Sequence, residues 1–237
     1  PDESKPKFVF LLGDFNYDIN VPGKQNADVL FALVNDPSVK NLKELQKHDE
    51  LNKAKSDLSV EKEKRGLWGG LIILGNAPIN LRGGEAVIEG IPFSEPRSVF
   101  GGPDENDDSG VLKYVSIRHG GTNIGDGNEI NGLTLGGVGS KTIIDYVEII
   151  ANEDDGVEIF GGTVNLKHMV VSGCGDDAFD YDLGWTGNGQ YWLAIQSENL
   201  GDNIIEASGG TDPVIGTPNS LPNIFNATLI GNNNNGE

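Results

Sequence analysis

The stretches DDGVEIF (154–160), DDAFDYD (176–182) and DNIIEAS (202–208) repeat one pattern at offsets of 22 and 26 residues. Each stretch begins with Asp and then alternates apolar and polar residues. Because side chains alternate across a strand, the apolar positions point inward and the acidic position between them points outward. The aligned positions form three columns: Val157/Phe179/Ile205, Glu158/Asp180/Glu206 and Ile159/Tyr181/Ala207.

A second pattern, two apolar residues with one residue between them, recurs along the same part of the chain. One turn of a parallel β-helix needs a step near 22–26 residues with two or three short strands, and its strands stack about 4.8 Å apart. The sequence therefore predicts an all-β chain that forms a parallel β-helix solenoid over residues 66–237. The recurring pairs are Val115/Ile117, Val147/Ile149, Met169/Val171, Leu193/Ile195 and Ala227/Leu229.

The two ends of the chain carry separate expectations. Residues 1–65 lack the repeat and are predicted to form an irregular, partly helical N-terminal cap or extension. Strands are expected within 6–22, a helix over 26–35, and a solvated helix or loop over 40–65. At the other end, an uncovered β-helix coil exposes backbone edges. We therefore expect the solenoid to continue beyond residue 237 or to be covered there by another chain.

The charge of the chain excludes several classes of partner. The net charge is −19, and residues 66–237 hold 6 Lys and Arg against 24 Asp and Glu. Nucleic acids and anionic membranes attract clustered basic residues, so neither is expected as a partner. No apolar run is long enough to insert into a membrane. Cations and neutral glycans remain compatible with this charge.

The acidic residues of the repeat form a ribbon over three coils. Like charges on neighbouring strands repel, so these side chains need separation, protonation, hydrogen bonds or a cation. Three interpretations follow: aspartates that cap turns, ligands of Ca²⁺, or catalytic carboxylates. The predicted metal ligands of the ribbon are Asp154, Asp155, Asp176, Asp177, Asp180 and Asp202, and the first five are also the catalytic candidates if the protein is an enzyme.

A second acidic stretch, PDENDDSG (103–110), is another candidate Ca²⁺ site. Asp104, Asn106 and Asp108 occupy every second position, as the first three ligands of calcium loops do. The EF-hand pattern fails further on, because Ser109 stands at the sixth position and Val115 at the twelfth. The stretch is therefore either a Ca²⁺ site or a polar loop.

Several segments resemble a known family. LWGGLIILGNAPIN (67–80), ANEDDGVEIFGGTVNLKH (151–168) and GDDAFDYDLGWTGNGQYW (175–192) are similar to segments of right-handed, pectin-lyase-like parallel β-helix proteins. These are secreted or surface-anchored proteins of Gram-negative bacteria, mostly without an assigned activity. The resemblance covers roughly residues 66–230. It implies a right-handed single-stranded β-helix exported to the cell surface, and it implies no reaction.

The motifs favour a non-catalytic role over an enzymatic one. Gly175, Asp176 and Asp177 match the Gly-Asp-Asp element of polygalacturonase-type hydrolases, but the other motifs of those enzymes are not found in the expected order. A lyase needs a basic residue near its substrate, and the matched coils hold few. We therefore predict a Ca²⁺-stabilised structural or binding module for a glycan or protein at the cell surface. The alternatives are a polysaccharide hydrolase or lyase, and a subunit of a surface assembly joined through residues 1–65 or the C-terminal end.

Overall fold

The chain winds into successive coils, and each coil contributes one strand to each of two sheets. The computed structural model describes residues 7–10, 64–91, 94–125, 128–210 and 212–232. A one-turn 3₁₀ helix, Pro96–Ser98, is the single helical element in these ranges. The strands are β1 Lys7–Phe10, β2 Leu71–Leu74, β3 Ala86–Val87, β4 Val99–Phe100, β5 Val111–Arg118, β6 Asn123–Gly125, β7 Asn128–Glu129, β8 Leu133–Gly136, β9 Ile143–Ile150, β10 Val157–Phe160, β11 Asn165–Ser172, β12 Phe179–Asp182, β13 Asn188–Ile195, β14 Ile205–Ala207, β15 Asn223–Phe225 and β16 Thr228–Ile230.

Two sheets form the walls of the solenoid. The short-strand sheet has the order β1-β2-β8-β10-β12-β14, and all its pairs are parallel except β1 with β2. The long-strand sheet has the order β5-β9-β11-β13-β15, and β16 also pairs with β13. The predicted all-β parallel β-helix is therefore confirmed. No helix in the described ranges is long and apolar enough to cross a membrane.

The interior columns predicted from the repeat are present in the short-strand sheet. Val157 lies in register with Phe179, and Phe179 lies in register with Ile205. Val157 and Phe179 are completely buried. The acidic column between the apolar ones lies on the outer face, where Glu158 pairs with Asp180 and Asp180 with Glu206. The period of two and the repeat step were sufficient to place these strands correctly.

One pair of the apolar repeat, Leu193/Ile195, is displaced by one residue from the register of the coils, in which Met169 and Val171 pair with Trp192 and Ala194. Trp192 and Ala194 of β13 face the core, and they are 1% and 0% exposed. Leu193 and Ile195 are half-buried on the outer face. The ring of Trp192 stacks on Phe179 at 4.1 Å between centroids, and its Nε1–H donates to the carbonyl of Leu166. Both alternations of β13 are apolar, so the large aromatic ring determines which one enters the core.

Each long strand bends at a residue with left-handed backbone conformation. Tyr114, Tyr146, His168 and Tyr191 have φ between 51° and 58°, a region that bulky residues rarely occupy. Their rings stack along the outside of the solenoid with centroids 4.1–5.0 Å apart. The regular stack accompanies the bend in every coil from β5 to β13.

A second apolar cluster lies outside the solenoid and covers part of the short-strand sheet. Ile72 and Leu74 of β2 point outward, yet they are 1% and 3% exposed. They pack with Ile88, Phe100 and Ile130, which come from insertions between the sheet strands. The acidic column lies farther along the same face, on β10, β12 and β14.

The N-terminal predictions fall mostly outside the described residues. Of the segment 1–65, only residues 7–10, 64 and 65 are described, and 7–10 form a strand as expected for part of 6–22. The predicted helix at 26–35 and almost all of the charged stretch 40–65 lie outside the described residues. The boundary between residues 65 and 66 stays a prediction.

Candidate functional site: an acid-lined cleft

The stacking of coils brings the acidic ribbon to one side of the short-strand sheet. The turns that precede β10, β12 and β14 carry its paired Asp and Asn residues, and the outer faces of the same strands carry Glu158, Asp180 and Glu206. Among the described residues, three groups of carboxyls have oxygen atoms within 4.8 Å of one another. These groups are Asp154/Asp155/Asp176, Asp155/Glu158/Asp180 and Asp176/Asp177/Asp202.

Part of this ribbon lines a cleft of about 290 Å³, hereafter the acid-lined cleft. One side of the cleft is apolar and the other consists of carboxyls, with one amide and one hydroxyl between them. None of its lining residues is basic. The apolar side is Ile72, Ile88, Ile130 and Phe160, and the polar side is Glu89, Glu129, Asn131, Thr134, Asp154, Asp155, Glu158 and Asp176.

The second aspartate of each pair caps the next coil. Asp155 Oδ1 accepts a hydrogen bond from the backbone N–H of Asp177 at 2.9 Å. Asp177 Oδ1 in turn accepts one from the N–H of Asn203 at 2.5 Å. Both aspartates are buried, at 8% and 2% exposure. Turn capping therefore describes Asp177 and one oxygen of Asp155, and Asp155 also lines the cleft together with Asp154 and Asp176.

Replacing Asp177 separates the role of its oxygen from the role of its charge. Asp177→Ala leaves the half-buried N–H of Asn203 without its side-chain acceptor, so we expect the free energy of unfolding to fall by about 1 kcal/mol. Asp177→Asn keeps an acceptor oxygen and is expected to be at least as stable as the wild type at neutral pH. Urea denaturation measures both. Equal destabilisation by the two substitutions would contradict the capping role.

Glu158 and Asp180 are the central pair of the outer face. Asn131 Nδ2 donates to Glu158 Oε2, and Asn131 itself is 6% exposed. Asp180 Oδ1 is buried and receives no N–H or hydroxyl donor, and the carboxyl of Asp180 shares a hydrogen bond with that of Glu158. A buried carboxylate oxygen without a donor is costly, because its lost hydration is not replaced. The arrangement is one that a cation or a proton would stabilise.

Burial and mutual repulsion raise the pKa values of these carboxyls. Burial raises the pKa of Asp155 to about 9, with a further contribution from the charge of Asp154. Burial raises the pKa of Glu158 to about 10, and the charges of Asp155 and Asp180 add to the rise. The pKa of Asp154 and that of Asp180 rise to about 6 and that of Asp177 to about 7, with burial the largest cause. At neutral pH the cleft thus holds protonated and ionised carboxyls side by side.

The predicted ligands of the 103–110 stretch do not join this cluster. Asp104 Oδ1 accepts the N–H of Asn106 at 2.9 Å, and Asp108 Oδ1 accepts the N–H of Gly110 at 3.0 Å. Asp107, which the sequence pattern did not single out, accepts hydrogen bonds from the N–H of Asn76 and of Gly139. These contacts are those of a polar loop, and none of the carboxyl groups gathered within 4.8 Å in the described ranges includes this stretch.

Three contributors to the cleft were missed as site residues. Glu89 and Glu129 come from the insertions, and their charges raise the pKa of Asp154. Asn131 stands beside the second of these insertions and holds Glu158. Insertions do not take part in the repeat, so no alignment of coils could have placed them. The repeat could have identified Asn131, because the register of β8 and β10 aligns Asn131 with Asp155, the residue that caps the next coil.

Comparison with known proteins bears on the solenoid. A family model described as a pectate-lyase like beta helix domain matches residues 58–237. Comparisons with curated proteins and with solved structures gave no match. The matched range contains β2 to β16 and the whole of the acid-lined cleft.

Proposed function

The chain belongs to the pectate-lyase-like β-helix family, and from this membership and its cleft we propose that it is an exported binding module. The acid-lined cleft holds Ca²⁺ and binds a glycan of the cell surface through it. Export to the surface of a Gram-negative bacterium is part of the proposal, supported by the resemblance of the coils to surface proteins. The net charge of −19 supports a ligand that is neither nucleic acid nor anionic membrane.

The observation that supports this function most strongly is the group of three carboxyls, Asp155, Glu158 and Asp180, whose oxygens approach within 4.8 Å. No N–H or hydroxyl donates to the buried Oδ1 of Asp180. Basic residues are absent from the cleft lining, so the protein offers no cationic side chain there. Carboxylate oxygens at this density are ligands that Ca²⁺ prefers, and Ca²⁺ takes six to eight of them in flexible geometry. The donor set therefore fits the ion.

The residues of the cleft have separable tasks in this function. Asp155 and Glu158 of the lining hold the ion together with Asp180, which lies beside the cleft, and Asn131 fixes the orientation of Glu158. When bound, Ca²⁺ supplies positive charge and coordination positions that sugar oxygens can fill. The apolar side, with Phe160, provides a surface for the less polar face of a sugar ring.

Calorimetric titration of EDTA-treated protein with Ca²⁺ tests the proposal. The wild type is expected to bind, and the Glu158→Gln/Asp180→Asn double variant is expected to lose at least tenfold in affinity. Glu105→Gln removes an exposed charge from the 103–110 loop and serves as the control that keeps wild-type affinity. Absence of Ca²⁺ binding, or unchanged affinity in the double variant, would refute the cleft as the ion site. A glycan panel with the Ca²⁺-loaded protein tests the ligand, and binding of proteins alone would reject a glycan.

A carbohydrate-active enzyme is the second candidate, and the close pair of carboxyls in Glu158 and Asp180 favours it. Burial raises the pKa of both groups, and the two carboxyls share a hydrogen bond, so one proton can be held between them. A proton donor beside an ionised carboxylate is the pair that glycoside hydrolysis uses. Release of reducing ends from a polysaccharide panel, abolished by Glu158→Gln or by Asp180→Asn, would establish this activity. Its absence with every substrate would leave the binding function.

A further inference from the structure

The outer face of the short-strand sheet is covered at one end and open at the other. Its outward column runs through Ile72, Thr134, Glu158, Asp180 and Glu206, one residue from each successive strand. The first two residues are 1% and 2% exposed, the next two are half-buried, and Glu206 is exposed. The cleft therefore deepens from β14 toward β8 and β2.

The cover at the deep end is a tightly packed wall. Phe100 lies so close to β8 that a Cβ added to Gly136 would come within 2.7 Å of its ring. The two insertions also touch each other, since a Cβ on Gly90 would lie 2.2 Å from Cδ1 of Ile124. Ile88 belongs to the same buried cluster as Ile72 of β2 and Ile130 of the second insertion. In the described residues the wall thus closes the β2 end of the cleft.

From this wall we infer that the acid-lined cleft receives the end of a glycan chain and not an internal segment. The inference rests on the proposed glycan-binding function. A chain that continued past the deep end would have to cross the positions of Ile72, Ile88 and Ile130, which are packed together and buried. A chain end needs only the open side, past Asp180 and Glu206.

The insertions that form the wall also provide partners for a terminal sugar unit. Glu89 and Glu129 belong to the cleft lining, and they are the chain neighbours of the buried residues Ile88 and Ile130. Carboxylates accept hydrogen bonds from sugar hydroxyls, and a terminal unit has one hydroxyl more than an internal unit, at the position where the next linkage would be. A site with acceptors placed for that hydroxyl discriminates against a unit that lacks it. The ligand class is therefore a linear glycan recognised by its terminal unit.

The test compares short and long chains of the same sugar. Galacturonan, xylan and mannan are each supplied as oligosaccharides and as polymers, and binding to the full chain is measured by calorimetry with and without Ca²⁺. Chain-end recognition predicts that, for the sugar that binds, the number of sites follows the concentration of chain ends and not the mass of sugar. Sites that scale with mass would overturn the inference, and so would binding to none of the glycans.

A wall variant provides the second arm. Ile124→Ala removes the side chain through which the second insertion meets Gly90 and leaves Glu129 in place, and it is expected to open the wall and raise the number of sites per polymer chain. Its Ca²⁺ affinity should equal that of the wild type, which shows that the fold and the ion site persist. An unchanged site count in this variant would overturn the inference. Ca²⁺ titration without glycan reports on the ion site separately, so its failure is distinguishable from failure of end recognition.

Discussion

Raising the pH of the EDTA-treated protein from about 5 to about 9 is expected to lower its melting temperature by about 10 °C. Unfolded aspartates and glutamates lose their protons near pH 4. In the folded protein, burial holds the pKa of Asp155 at about 9 and that of Glu158 at about 10. The folded state therefore keeps protons that the unfolded state has released, and stability declines as pH rises from about 4 through these folded values.

The size of this decline follows from the two most buried groups. One unit of pKa shift corresponds to about 1.4 kcal/mol, so the full shifts of both groups set an upper limit on the loss of stability. We expect the free energy of unfolding to fall by only about 3 kcal/mol, because water and side-chain movement stabilise the charged cleft. Excess Ca²⁺ is expected to abolish the decline, because an ion that binds the deprotonated carboxyls replaces the protons. Calorimetric melting at several pH values, with EDTA and with Ca²⁺, measures both effects.

A matched variant isolates the source of the pH dependence. Asp155→Asn/Glu158→Gln keeps the acceptor for the N–H of Asp177 but removes both titrating groups, so its melting temperature should vary much less with pH. Glu105→Gln, on the distant loop, should behave as the wild type does. A wild-type melting temperature that does not fall, or that falls equally in the cleft variant, would contradict the pH account.

Phe179→Ala is expected to lower the free energy of unfolding by about 3–5 kcal/mol. Phe179 is completely buried, stacks on Trp192 at 4.1 Å between ring centroids, and lies between Val157 and Ile205 in the inner column. Removing its ring leaves a cavity that the stacked coils cannot close, because each coil is fixed by hydrogen bonds to its neighbours. Urea denaturation followed by circular dichroism measures the loss.

Tyr114→Ala is the matched control for the core substitution. It also removes an aromatic ring, but Tyr114 is 77% exposed and stacks only on the outside of the solenoid. The expected loss is about 1 kcal/mol or less. If Phe179→Ala and Tyr114→Ala cost similar amounts of stability, burial in the inner column would not be what stabilises the stacked coils.

The repeat predicted which residues face the core only in strands where one of the two alternating sets of side chains is apolar and the other is polar. Val157 and Phe179 fell into the correct column because their neighbours Glu158 and Asp180 are acidic, which leaves only one inward alternation. In β13 both alternations are apolar, so the pattern did not distinguish Trp192 from Leu193. Ring size and the hydrogen bond to Leu166 settle the register, and neither is visible in an apolar–polar pattern.

The site was predictable in the same partial way. The aligned coils placed Asp155 beside Asp177, but they did not show that these two aspartates cap backbone while Asp154 faces the cleft. That difference depends on the direction of each side chain in its turn. The wall with Glu89 and Glu129 depends on how two insertions pack across the sheet, which is a long-range contact outside the repeat.

An anomalous difference map from crystals grown with Ca²⁺, recorded at long wavelength, locates the bound ion. We expect a peak at the acid-lined cleft, with carboxylate oxygens of Asp155, Glu158 and Asp180 about 2.3–2.6 Å away. A cleft without a peak in Ca²⁺-saturated crystals, or a peak found only between Asp104 and Asp108, would contradict this expectation.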